Sequence, residues 1–207
     1  MRKARQVRYR EEELTQTSYR NVDDSNKEKN FRVSNLRNLI DHTVIFDEAT
    51  GYEVYTSVCD GGKNFKKTET KKLTCTIKNL SNKKSYKFYV RAYKVVDGKK
   101  VYLNKSPQIH VAMKDYKKTN AKTIKNVNAS YKLTVGKKAG IRAMTVKENK
   151  NKKLLAHAAE FRYYSSDTSV ATVNQKGVIT AKETGKCTIC VVANNGVYKT
   201  IKVTVGE

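Results

Sequence analysis

The sequence has no tryptophan, three histidines and one proline, and its 19 acidic side chains face 43 basic ones among 207 residues. Each scarcity removes a class of function. Carboxylates this sparse, and set mostly in turns, leave general acid–base catalysis without its paired groups. Neither GxSxG nor a glycine-rich phosphate loop occurs, so the usual nucleophile and nucleotide motifs are missing as well. His42, His110 and His157 stand far apart in the chain, and none lies within three to five residues of another His or of a Cys. That spacing predicts no zinc site. No apolar run reaches the roughly 18 residues a spanning helix needs. The opening MRKARQVRYREEELTQTSYR is charged and has neither an apolar stretch of roughly 7 to 15 residues nor a small-residue cleavage site, so no secretory signal is read there. No catalytic, cofactor-binding or metal-binding residue is expected, and the protein is read as a non-enzyme.

Positive charge is what the sequence has in excess: the formal net charge is +24 on 23.5 kDa. It is spread along the chain, +2 over residues 1–30, +9 over 31–112, +4 over 113–127 and +9 over 128–207. A predominantly anionic environment is the natural partner. Lys outnumbers Arg 33 to 10, and seven of the Arg precede residue 40. Readers of bases and phosphates favour the bidentate guanidinium fork, so specific nucleic-acid recognition is disfavoured. Lysines on the water-facing side of alternating strands account for much of the charge by solubility alone.

Residues 1–30 mix both signs of charge without a period of two and read as a flexible arm, with a short helix near 8–14. From about residue 42 the pattern becomes β: HTVIF, GYEVYTSV, FKKTET, KLTCTIKNL, SYKFYVRAYKVV and VYLNKSPQIHVAM follow one another without a crossover helix. In SYKFYVRAY, Tyr86, Phe88, Val90 and Ala92 share one face and Lys87, Tyr89, Arg91 and Tyr93 the other. The first set is the predicted core. Asp97-Gly98 between two alternating runs predicts a two-residue hairpin, because both positions tolerate positive φ. Residues 113–127, with five Lys and one Asp, read as a solvated basic linker. A second run of short strands follows it: YKLTV, AGIRAMTV, EFRYYSS, VATVN, GVITAKE, KCTICVVAN and VYKTIKVTV. Within 147–161, Leu154, Leu155, Ala158 and Ala159 predict a connection carrying one helical turn. The fold class is all-β, with two unlike antiparallel β-sandwiches in tandem.

Leu80 and Tyr86, six residues apart across SNKKS, have the spacing of a tyrosine corner. With GYEVYTS at 51–57, FYVRAY at 88–93 and Ser106, residues 31–112 resemble a fibronectin type III domain, in which Phe46 would take the place of the strand-B Trp. The stretch SSDTSVATVNQKGVITAKETGKCTI at 165–189, with Ala171, Gly177 and Gly185, resembles the bacterial Ig-like domain of group 2, which would cover 128–207 with Tyr163 at a core Trp position. These resemblances imply a cell-surface or secreted pair of adhesion or spacer modules, as in surface proteins of Gram-positive bacteria. They also imply monomeric modules of a longer chain. An accessory carbohydrate-binding pair of a polysaccharide-degrading enzyme is the alternative, and a basic cytosolic nucleic-acid binder stands behind it.

Cys187, in phase with Ile189 and Val191, and Cys75, in phase with Leu73 and Ile77, read as core residues, while Cys190 is expected to face outward beside Thr188. A Cys59–Cys75 disulfide is left open, since sequence does not fix their separation. One constellation invites a ligand: Tyr55, Lys87, Tyr89, Arg91, Tyr93 and Tyr102, expected on one sheet face. Rings flanked by cations suit an anionic cell-wall polymer, a polysaccharide or a surface protein.

Overall fold

The computed structural model describes residues 19–22, 30–33, 49–61 and 63–207. The helix expected near 8–14, the strand HTVIF and Phe46 lie outside the described residues. In chain order the strands are β1 (Tyr19–Val22), β2 (Asn30–Val33), β3 (Gly51–Val58), β4 (Lys66–Thr70), β5 (Cys75–Ile77), β6 (Ser85–Val96), β7 (Lys99–Lys105) and β8 (Ile109–Ala112). They continue as β9 (Lys118–Thr119), β10 (Ala121–Lys125), β11 (Ser130–Thr134), β12 (Lys138–Gly140), β13 (Met144–Lys147), β14 (Lys153–Leu154) and β15 (Phe161–Ser165). The last are β16 (Ala171–Val173), β17 (Val178–Ala181), β18 (Gly185–Ala193) and β19 (Tyr198–Gly206). Among the described residues there is no helix, and so none long and apolar enough to cross a membrane.

The fold is all-β, built on two separate apolar cores. The first lies under the sheet β4-β3-β6-β7, in which β8 also pairs with β6. Alternation sorts the side chains: Val54 on β3 and Phe88, Val90 and Ala92 on β6 are fully buried on the inner face. The sheet β1-β2-β5 adds Cys75 and Ile77 to this core. Tyr86 completes the corner, accepting a 2.8 Å hydrogen bond from the Ser81 N–H at its phenolic oxygen. Asp97 (φ 50°) and Gly98 (φ 72°) turn β6 into β7 with Val96 opposite Lys99, as a tight hairpin requires. The second core lies between β11-β19-β18-β15 and β12-β17-β16, with β11 running parallel to β19. Ile179, Ile189, Val191 and Ile201 fill its centre.

Several expectations change. Part of the charged arm is a strand, because β1 pairs with β2 through backbone bonds that need no side-chain alternation. The stretch expected to be a solvated linker carries β9 and β10; Met113 enters the first core, and Ala121 and Ile124 enter the second. Its lysines solvate one side while scattered apolar residues anchor the other. The segment 147–161 has turns and β14 in place of a helical turn, because β14 pairs with β9 and Leu155 packs with Ala112 and Tyr116. Cys190 is buried, since Tyr164 lies opposite it on β15, and burial pushes its thiol up to about 12. Leu73 falls in the turn before β5 and is 42% exposed. All four cysteines are thiols, so Cys59 and Cys75 are not bridged.

Backbone and side-chain bonds close the joint between the cores. Asn120 accepts from the Ala112 N–H at 2.7 Å and donates to the Ala112 carbonyl at 2.8 Å. The His110 N–H donates to the Asn194 carbonyl at 2.8 Å, and the Arg162 guanidinium donates to the Gln108 carbonyl. Lys152 donates to the Tyr116 carbonyl at 2.7 Å.

Candidate functional site

The outer face of β4-β3-β6-β7 brings the six expected residues into one cluster. Register accounts for it: Tyr55 lies opposite Tyr89, Glu53 opposite Arg91, and Tyr93 opposite Tyr102. The Tyr55 and Tyr89 rings stack with centroids 4.6 Å apart and an interplanar angle of 8°. Phe65 meets Tyr89 edge-on at 5.1 Å, and Tyr93 meets Tyr102 at 6.5 Å. Cations cover the rings: Lys105 over Tyr89 at 4.2 Å, Arg91 over Tyr102 at 4.1 Å, Lys100 over Tyr93 at 4.4 Å and Lys87 over Phe65 at 5.4 Å. Tyr102 is 39% exposed, but Tyr93 is only 2% exposed. Tyr93 folds flat over Gly51, where a Cβ would sit 2.4 Å from its hydroxyl, and donates to Glu69.

Glu53 organises the cluster and is 0% exposed. Its carboxylate accepts from the Tyr55 hydroxyl at 2.6 Å, from Lys67 and Lys100 at 3.1 Å each and from the Tyr102 hydroxyl at 3.2 Å. Lys100 also reaches Glu69 at 2.6 Å, so one ammonium bridges two cross-strand carboxylates. Burial alone would raise the Glu53 pKa, but the bonds from Tyr55, Lys67, Lys100 and Tyr102 outweigh it and hold the pKa at about 2. Burial, then the hydrogen bond to Glu53 and the Glu53 charge, pushes the Tyr55 phenol up. The hydrogen bond to Glu69 raises the Lys100 ammonium above its ordinary value. Sequence reasoning missed Glu53, Phe65, Lys67, Lys100 and Lys105. The available signal was the phase of β3, which puts Glu53 on the same face as Tyr55.

A second cluster lies at the joint. Cys59 follows β3, His110 is on β8, and His157 is in the connection between β14 and β15. His110 Nδ1 is 3.6 Å from Cys59 Sγ and 3.1 Å from His157 Nε2. Burial, followed by the neighbouring His157, Arg162 and Lys87, lowers the His110 pKa to about 4, which leaves its imidazole neutral. Sequence spacing gave no sign of this cluster, because only the packing of the two cores brings the three together.

Residues 111–205 match the family model of the bacterial Ig-like domain (group 2). The match begins ahead of the boundary expected at 128 and takes in β9 and β10. No curated protein matches the sequence. Among solved structures, the chain is similar to the C-terminal 282-residue fragment of intimin, crystallised with the intimin-binding domain of the translocated intimin receptor: 16% identity, TM-score 0.29, over 93% of this chain and 64% of that one. It is also similar to immunoglobulin domains 1–5 of Sidekick-1, with 13% identity and a TM-score of 0.22, over 75% of this chain and 31% of that one. The chain thus spans less than two thirds of either structure.

Proposed function

We propose that this chain is a non-catalytic cell-surface or secreted module pair that adheres to, or is displayed against, anionic cell-wall or extracellular polymers. The observation that carries this reading is the cation array on the first sandwich. Lys87, Arg91 and Lys105 each sit on an aromatic ring, so their charges are held in place and not left to wave in solvent, while Lys100, also over a ring, is committed to Glu53 and Glu69. A neutral sugar stacks on a bare ring face. Here Tyr89 is covered by Tyr55 on one contact and Lys105 on another, and Phe65, Tyr93 and Tyr102 each carry a cation. The geometry therefore favours a polyanion over a neutral polysaccharide, and over the accessory carbohydrate-binding reading. The bonded joint suits a stiff spacer, and the group 2 match supports a bacterial surface setting. For the first sandwich, the Tyr86–Ser81 corner supports the fibronectin type III reading, with that unit ending near Met113 and the second beginning by Ala121.

The test is retention of the purified chain on an anionic wall polymer, a neutral polysaccharide and duplex DNA, from about 50 to about 500 mM salt. Selective retention on the wall polymer that fades with salt is expected. Salt-insensitive binding to the neutral polysaccharide, or preference for DNA, would overturn the reading.

A further inference from the structure

The geometry points to a transition-metal site at the joint, in which Cys59, His110 and His157 ligate a borderline-soft divalent cation of the zinc(II) type and so tie the two sandwiches together. The ligand atoms of the three all lie within 4.8 Å of one another. Around tetrahedral zinc, two imidazole nitrogens stand about 3.3 Å apart, and a nitrogen and a thiolate sulfur about 3.5 Å. Two of the three separations are 3.1 Å and 3.6 Å, and the third, between Cys59 and His157, lies within 4.8 Å, so the exposed His157 ring closes by up to about an ångström on binding. One nitrogen, His110 Nδ1, thus lies close to both a thiol and a second imidazole, the proximity that a shared ion requires. The donor set of one sulfur and two nitrogens selects zinc-like ions over magnesium or calcium.

The elements hold the ligands at different depths. Cys59 and His110 are half-buried and fixed by strand backbone: the Cys59 N–H donates to the Ser85 carbonyl at 2.9 Å, and the His110 N–H to Asn194. His157 is exposed and comes from the second sandwich, which gives an ion a path in and leaves a fourth position for water. Two cations near His110 oppose binding, yet both are engaged elsewhere. Arg162 donates to the Gln108 carbonyl, and Lys87 lies over the Phe65 ring. Loss of the Cys59 proton on binding supplies a negative charge, and Asp60 follows it in the chain. This site uses none of the rings of the cation array and stands or falls apart from the polymer-binding proposal.

The experiment titrates the reduced 207-residue chain with zinc(II) against a chromophoric chelator, then with cobalt(II) to read coordination from its visible spectrum. One equivalent per chain is expected, with a thiolate-to-cobalt charge-transfer band and the intense bands of tetrahedral cobalt. Cys59→Ser should abolish the charge-transfer band, and His157→Gln should weaken zinc binding at least ~10-fold. Both positions are at least partly exposed, and circular dichroism checks that both variants fold. No stoichiometric binding at micromolar zinc would overturn the site. So would binding undiminished in both variants, which marks an adventitious ion only, or a loss confined to one variant, which reduces the site to fewer than three ligands.

Discussion

Replacing Glu53 with Gln removes one charge and almost no volume from the centre of the tyrosine–lysine face. A carboxyl whose pKa falls from an ordinary 4.5 to about 2 is tied to at most about 3 kcal/mol of stability at neutral pH. Lys67 and Lys100 keep 48% and 33% of their side-chain exposure, and screening there cuts the expected cost of Glu53→Gln to about 1–2 kcal/mol. The sign follows from the depressed pKa. The contribution is complete above about pH 4.5 and drains away as pH falls toward 2, where native Glu53 takes up its proton. The stability gap between wild type and variant should therefore be full at pH 7, shrink below about 4.5 and close near 2. Urea unfolding followed on the amide resonances of β3 and β6 reads the first sandwich apart from the second. A gap that is absent at pH 7, or unchanged between pH 7 and pH 2, would refute the assignment of Glu53 as the charged hub of this face.

Tyr86→Phe deletes the acceptor of the Ser81 N–H and should cost the first sandwich about 1 kcal/mol in urea unfolding. Gly185→Ala should destabilise the second sandwich by about 1–3 kcal/mol, because Gly185 has φ 153° and its Cβ would lie 2.9 Å from Val170 Cγ2. Gly206→Ala, which meets nothing within 4 Å, is the matched control and should shift the thermal midpoint far less. Asn120→Ala leaves the buried Ala112 N–H and carbonyl without the amide that holds them. Residual dipolar couplings should then show the two sandwiches orienting more independently than in the wild type.

What the sequence made legible is what depends on local pattern. The alternation of SYKFYVRAY, the Asp97-Gly98 turn and the Leu80–Tyr86 spacing all act over a few residues, and each appears as expected in β6, the β6–β7 hairpin and the Tyr86–Ser81 bond. Alternation and register likewise place Tyr55, Lys87, Tyr89, Arg91, Tyr93 and Tyr102 on one sheet face. The buried Glu53 at their centre was not legible, because a lone Glu in a strand reads as solvated until the register places Lys100, Tyr55 and Tyr102 around it. The joint was hidden by composition: lysines dominate 113–127, while its burial rests on the isolated side chains of Met113, Tyr116, Ala121 and Ile124. Tyr93 faces the expected side yet is covered, since only Gly51 opposite it lets the ring lie flat. Cys59, His110 and His157 meet through tertiary packing alone, which no motif spacing encodes.

The most direct test of the cation array compares two variants of equal charge on an immobilised anionic wall polymer. One carries Lys87→Ala, Arg91→Ala and Lys105→Ala on the face, and the other Lys176→Ala, Lys182→Ala and Lys186→Ala on exposed positions of the second sandwich. The account predicts that the face variant elutes at clearly lower salt than the wild type while the second stays close to it. Equal losses in the two would mean that binding follows net charge alone, and would contradict the assignment of the face as the binding surface.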